Sequence, residues 1–77
     1  MYNHYDIARK IVNYLRHEGF SSLAEQLEED LGGFSGTEIF LALRWHLKQF
    51  LETRQECSKG LKSLIDELIQ ELDSALA

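Results

Sequence analysis

Residues 35–59, SGTEIFLALRWHLKQFLETRQECSK, decide the fold class of this chain. Their apolar side chains recur every three or four positions, the spacing of one face of an α-helix. The predicted buried stripe comprises Ile39, Phe40, Leu43, Leu47, Phe50, Leu51 and Arg54. Ser35 and Glu38 have capping-box spacing, with Thr37 as an alternative cap, and we expect the helix to reach about Ser58 or Lys59.

A first helix is predicted upstream of this segment, over His4–Glu18. Asn3 precedes it as an N-cap, because its side-chain oxygen can accept from the free N–H groups of the first turn. Gly19 follows it and can adopt the left-handed conformation that ends many helices.

A short second helix is predicted over Ser22–Leu31. Ser22 and Glu25 have capping-box spacing, and Gly32-Gly33 should stop the helix. Its expected inward residues are Leu23, Ala24, Leu27 and Leu31.

The end of the chain allows two interpretations. The apolar phase of the third helix continues through Cys57 and Leu61, so two short helices followed by one long helix are possible. We favour a break, with Gly60 ending the third helix and Ser63 to Asp66 forming a new capping box. A fourth helix then covers Leu64–Leu76.

These elements predict an all-α fold, a small four-helix bundle made of two helical hairpins. Each predicted helix has a single apolar face and is too short to be stable alone, and short loops make sequential helices antiparallel neighbours. No segment alternates with period two, so strands are not expected. The 77 residues correspond to one domain, 1–77.

Charge and cysteine content restrict the classes of function. The formal net charge is −5, from 13 acidic and 8 basic residues, which argues against nucleic acid and anionic membranes and favours a basic protein partner. Cys57 is the single cysteine, so no internal disulfide can form. With no signal peptide and no membrane span in the sequence, we expect a cytoplasmic protein.

The acidic residues of the second helix are the main functional indication. Four carboxylates are expected to face outward and to contact a protein partner: Glu25, Glu28, Glu29 and Asp30. The last three lie near the helix C-terminus, where the macrodipole disfavours negative charge. Either a basic residue of the chain neutralises them, with Lys10, Arg16 and Arg44 as candidates, or a basic partner does.

The third helix carries a second apolar feature. Leu41 and Trp45 lie four residues apart and are expected to project about a quarter turn away from the buried stripe. They are predicted to anchor a protein contact, as in a homodimer, unless another part of the same chain covers them.

No catalytic, metal or cofactor motif is present, so neither an enzyme nor a bound cofactor is expected. His46 is the one candidate for a metal or ligand site, but no other histidine or cysteine stands at zinc-site spacing from it. A hydrogen-bonded position at the edge of the core is the favoured interpretation of His46. Cys57 is expected to be a half-buried structural thiol.

Residues 36–47, GTEIFLALRWHL, resemble the centre of a small uncharacterised bacterial all-helical family. That resemblance implies a bacterial, helical, cytosolic protein and carries no known reaction. In size, charge and helix number alone, the chain is also similar to the colicin immunity proteins, which are acidic helical domains that block a basic nuclease.

The sequence therefore predicts an acidic protein-interaction module of the inhibitor, immunity or adaptor type, with no catalysis of its own. A homo-oligomeric structural protein without a hetero-partner is the first alternative, and a metal- or ligand-binding protein centred on His46 is the second.

Overall fold

The computed structural model describes residues 2–77, and these fold into four α-helices with no strand among them. The helices are α1 (His4–His17), α2 (Ser21–Gly33), α3 (Thr37–Glu52) and α4 (Lys59–Leu76). The predicted all-α fold is confirmed. The alternative with one long C-terminal helix is wrong, because α3 and α4 are separate.

The four helices form a closed ring. α1 packs against α2 and α4, and α3 also packs against α2 and α4. Contacts at the helix ends show that α1 and α4 run in opposite directions: His4 Nε2 lies 3.4 Å from the Glu71 carbonyl oxygen, and the Glu18 carboxylate contacts Ser58. The arrangement is a four-helix bundle in which every helix has two neighbours.

The core of the ring is aliphatic. Leucine and isoleucine from all four helices meet there, with Phe50 at the edge. The buried apolar residues are Ala8, Ile11, Val12, Leu15, Ala24, Leu27, Ile39, Leu43, Leu47, Phe50, Leu61, Ile65, Leu68 and Leu72. Each helix thus buries one stripe and turns its opposite face to solvent.

The ends of α1 agree with the sequence prediction. The Asn3 side chain accepts hydrogen bonds from the backbone N–H groups of Tyr5 and Asp6, each at 3.1 Å. Gly19 adopts φ +88°, a conformation that favours glycine, and turns the chain towards α2.

The predicted capping box of α2 is wrong. The helix begins at Ser21, its N-cap is Phe20, and no side chain caps it. The Phe20 ring instead packs edge-on against Phe50 with ring centroids 5.0 Å apart, which fixes the start of α2 beside the end of α3. Gly32 and Gly33 form its last turn rather than lying beyond it.

The predicted end of α3 is also wrong, because the helix stops at Glu52 rather than near Ser58. Arg54 adopts φ +55°, a left-handed conformation outside the helix, and its side chain is exposed rather than part of the buried stripe. The Thr53 hydroxyl donates to the Phe50 carbonyl oxygen at 2.6 Å, in addition to the Thr53 N–H at 3.1 Å.

α4 starts five residues earlier than predicted, because its N-cap is Ser58 and not Ser63. The Ser58 hydroxyl oxygen accepts from the Leu61 N–H at 3.2 Å. The Glu18 carboxylate in turn accepts from the Ser58 N–H at 2.7 Å and from its hydroxyl at 2.5 Å. A residue 40 positions away in sequence thus fixes this helix start.

Gly60 lies in the first turn of α4 and does not end α3 as predicted. A β-carbon at this position would be 3.0 Å from the Tyr14 hydroxyl oxygen. A larger residue here would push the Tyr14 side chain aside, so the glycine leaves room for Tyr14 of α1 against α4.

Within the described part of the chain, no helix has both the length and the apolar character needed to cross a bilayer.

The core assignment predicts how leucine truncations behave. Leu43 and Leu68 are fully buried, so L43A and L68A should each lower the free energy of unfolding by about 2–5 kcal/mol. L41A is the matched control on α3, because Leu41 is exposed, and in dilute, monomeric protein should change it by less than about 0.5 kcal/mol. Urea denaturation measures all three, and equal losses in L41A and L43A would contradict the assigned faces.

Acid should weaken the contact between α1 and α4. The two hydrogen bonds from Ser58 hold the pKa of Glu18 below its ordinary value of 4.5. Because the pKa is lower in the folded chain, this carboxylate contributes stability above its unfolded pKa, and the contribution is lost as pH falls through the folded pKa. E18Q should therefore melt lower than wild type at neutral pH and converge with it in acid.

Thermal melts between pH 7 and about pH 3 measure this convergence. E52Q, at an exposed glutamate on α3, is the control and should follow wild type throughout. A constant gap between E18Q and wild type across the whole range would show that the ionised carboxylate is not what matters.

Candidate interaction surfaces

The structure separates the four carboxylates of α2 that the sequence grouped together. Glu28 is exposed and forms an ion pair and hydrogen bond with Arg16 of α1. That hydrogen bond is the main cause of a raised pKa at Arg16, followed by the charges of Glu28 and Glu25. Glu28 is thus neutralised within the chain.

Asp30 does not face outward, and that part of the prediction is wrong. Its side chain is buried, with only 3% of the residue exposed. Its Oδ2 lies 2.5 Å from Nδ1 of His46 on α3. Since an ionised carboxylate can only accept, the imidazole N–H at Nδ1 donates to it. Asp30 therefore joins α2 to α3.

The sequence contained a signal for this burial. Asp30 follows Leu27 by three residues and Leu23 by seven, so helical spacing places it in the apolar stripe of α2. A carboxylate in such a stripe requires a hydrogen-bonding partner, because an unpaired buried charge is strongly disfavoured. His46, at the core edge of α3, supplies that partner, as the sequence analysis favoured for this histidine.

Glu25 and Glu29 remain on the outer surface of α2, and we call them the acidic pair. Both are exposed, and they lie one turn apart on the same side of the helix. Among residues 2–77 neither forms an ion pair. Of the basic residues considered as internal partners, Arg16 takes Glu28, and Arg44 pairs with Asp73 of α4 instead.

The Arg44–Asp73 pair closes the opposite side of α3. The hydrogen bond from Arg44 holds the pKa of Asp73 below its ordinary value, and the charge of Lys48 lowers it further. Arg44 is thus directed to α4 and away from the acidic pair.

Leu41 and Trp45 are exposed on α3, and with the exposed Glu38 and the half-buried Lys48 they define what we call the α3 outer face. Trp45 is 60% exposed and Leu41 53%. Both lie two positions from Leu43, which places them nearly half a turn from the buried stripe rather than the predicted quarter turn. No described part of the same chain covers them.

Trp45 is nevertheless held in place. Its ring packs edge-on against the His46 ring, with centroids 5.3 Å apart. The His46 ring is also hydrogen-bonded to Asp30, so the exposed indole packs against a ring that the fold holds in position. A shallow groove of about 290 Å³ separates Trp45 from Leu23 and Gln26 of α2.

A larger groove, of about 660 Å³, lies beside the turn between α3 and α4. Phe50, Leu51 and Cys57 contribute apolar surface to it, and Arg54, Lys59 and Lys62 contribute positive charge. Lys62 is already paired with Asp66 at 2.7 Å. Burial raises the pKa of the half-buried Cys57 thiol, which lowers its reactivity as a nucleophile.

No group of three or more His, Cys, Asp or Glu side chains among residues 2–77 is arranged to hold a metal ion. At His46, Nδ1 is occupied by the Asp30 hydrogen bond.

Comparison of the chain with protein-family models, curated proteins and solved structures gives no match.

The Asp30–His46 hydrogen bond should stabilise the packing of α2 against α3. H46A leaves a buried carboxylate unpaired and should lower the free energy of unfolding by about 3 kcal/mol or more. D30A should cost about 1–3 kcal/mol. The double variant should lose less than the sum of the two, because its second change removes a group that is already without its partner.

A double-mutant cycle by urea denaturation gives the coupling energy, which we expect to be about 1 kcal/mol or more. E29A, next to Asp30 but exposed, is the control and should have little effect. Strictly additive losses would mean that the two side chains do not interact.

Proposed function

We propose that this protein is an acidic protein-interaction module of the inhibitor, immunity or adaptor type, which binds a basic protein partner and performs no catalysis of its own. The observation that carries the proposal is the acidic pair: Glu25 and Glu29 are exposed, on a packed helix, without an internal ion pair. The other two carboxylates of α2 have partners inside the fold, so only these two remain for an external one.

The surroundings of the acidic pair favour a cationic partner. The last turn of α2 contains no basic residue, so the negative end of the helix dipole adds to the charge of Glu29. Glu25 and Glu29 also repel each other, since like charges one turn apart destabilise a helix. An arginine or lysine from a partner would relieve both effects.

The geometry suits capture of a guanidinium or ammonium group. α2 is held on both sides, by α1 and by α3, so the two carboxylates are presented by a fixed scaffold. Charge-assisted hydrogen bonds from arginine to carboxylates are stronger than neutral ones. The net charge of −5 adds long-range attraction, which raises the association rate of a basic partner.

The similarity to colicin immunity proteins in size, charge and helix number supports an inhibitory role as one form of this proposal. A bacterial origin and a cytoplasmic location belong to the same proposal, and the free thiol of Cys57 is typical of a reducing compartment.

The exposed Leu41 and Trp45 favour a second candidate, a homo-oligomeric protein. An aromatic residue at the centre of an exposed apolar patch is typical of a protein contact. The third candidate, a metal or ligand centre at His46, lacks accompanying ligands, since no group of three or more His, Cys, Asp or Glu side chains among residues 2–77 could hold a metal ion.

Neutralising the acidic pair tests the main proposal. E25Q/E29Q should leave stability unchanged or raise it by about 0.5 kcal/mol, because it removes repulsion and the unfavourable dipole interaction. The same variant should capture less of a basic protein from cell extract than wild type does, and the difference should shrink as salt rises. Affinity capture at low and high salt, with thermal melts, measures both effects.

E28Q is the matched control, because it removes one charge from the same helix but breaks the contact with Arg16. It should melt slightly lower than wild type and still capture the partner. If E25Q/E29Q melts clearly lower than wild type, or captures as much basic protein, the acidic pair is not an interaction site.

A further inference from the structure

We propose that the α3 outer face binds a second copy of this chain, with the two α3 helices antiparallel and related by a two-fold axis at the level of Leu43. In this dimer Leu41 packs against Trp45 of the second copy, and Glu38 lies opposite Lys48 of the second copy. The proposal concerns a different surface from the acidic pair and does not rest on it.

The apolar part of the face provides the driving force. Among residues 2–77, Leu41 and Trp45 are the most exposed of the large apolar side chains, and they lie one turn apart on a single helix. The Trp45 ring already packs edge-on against the His46 ring, and a contact of this kind reduces the conformational freedom that is lost when the indole is covered. A domain of this size also gains stability from burying surface in a dimer.

The spacing of four residues makes the face self-complementary. Leu41 and Trp45 each lie two residues from Leu43, and Glu38 and Lys48 each lie five residues from it, in opposite directions. An antiparallel copy with its axis at this level places each residue beside its counterpart at the same height. Two leucine–tryptophan contacts and two glutamate–lysine pairs result, as closed two-fold symmetry requires.

The charges of Glu38 and Lys48 disfavour a parallel dimer. In a parallel dimer, residues at the same height are identical, so Glu38 would face Glu38 and Lys48 would face Lys48. Juxtaposed like charges are unfavourable at an interface. The antiparallel arrangement brings opposite charges together at both ends of the apolar contact.

Charge complementarity also favours a second copy over a generic basic partner on this face. A basic partner would meet Lys48 as well as Glu38, whereas a second copy matches both. The acidic pair lies on α2 and outside the proposed contact, so a dimer would present two acidic pairs to solvent.

A charge-swap series, measured by sedimentation equilibrium from low to high micromolar concentration, tests the proposal. Wild type should show a monomer–dimer equilibrium. K48E and E38K should each raise the dissociation constant by about tenfold, because each creates like-charge contacts. The double variant E38K/K48E should recover an affinity within about threefold of wild type, since the opposite charges are restored in exchanged positions.

Truncation of the apolar contact gives the second measurement. W45S should raise the dissociation constant by roughly thirtyfold or more, as expected for a central tryptophan, while circular dichroism shows the fold unchanged. E25Q/E29Q is the control and should dimerise at least as well as wild type.

A monomeric mass at every concentration would overturn the proposal. So would a dimer that W45S leaves intact, or single charge variants whose loss the double variant does not restore. None of these results bears on the acidic pair, whose test is capture of a basic protein.

Discussion

The structure depends on one constraint: each of four short helices has a single continuous apolar stripe, and the four stripes can be buried only against one another. The closed ring satisfies this requirement with a core of leucine and isoleucine. Once the ring has closed, each helix has one outer face left for solvent. The residues on those faces are free to serve other purposes, and α2 and α3 carry the unusual ones.

Polar contacts between neighbouring helices add to this closure. Glu18 and Ser58 join the end of α1 to the start of α4, and Asp30 and His46 join α2 to α3. A buried carboxylate is tolerated only with a partner in the correct place, so the Asp30 contact favours one relative position of these two helices. It also supports the ring of His46, on which the exposed Trp45 rests.

The sequence predicted those parts of the fold that local patterns control. Helical periodicity identified all four helices and nearly all of the core, and the Asn3 cap and the Gly19 turn were correct because their signals lie within three residues. The failures came from contacts between residues distant in sequence. Glu18 accepts hydrogen bonds from the Ser58 cap, the Phe20 ring packs against Phe50, and the Tyr14 side chain lies against Gly60.

The same distinction applies to the predicted interaction residues. Helical spacing correctly placed Leu41 and Trp45 off the buried stripe, although the angle was underestimated. Spacing alone did not reveal the partners of Glu28 and Asp30, because those partners lie on α1 and α3. What remains of the four carboxylates is the acidic pair, a smaller and more specific candidate than the sequence suggested.

Both proposed surfaces follow from the same feature, an outer layer that the ring leaves uncovered. The outer face of α2 carries two carboxylates without internal ion pairs. The outer face of α3 carries an aromatic and an aliphatic residue between opposite charges. Neither set is required for the core, since every residue involved lies outside it. We therefore expect substitutions of these residues to weaken binding without lowering the free energy of unfolding.

The fluorescence of Trp45 tests this separation of core and outer face most directly, because it is the only tryptophan in the chain. In dilute native protein we expect a long-wavelength emission, readily quenched by acrylamide, that shifts to shorter wavelength as the protein concentration rises. The contradicting result is a short-wavelength emission that is protected from acrylamide at the lowest concentration, where the protein is monomeric. It would show that Trp45 is buried within the chain and that α3 has no exposed apolar face.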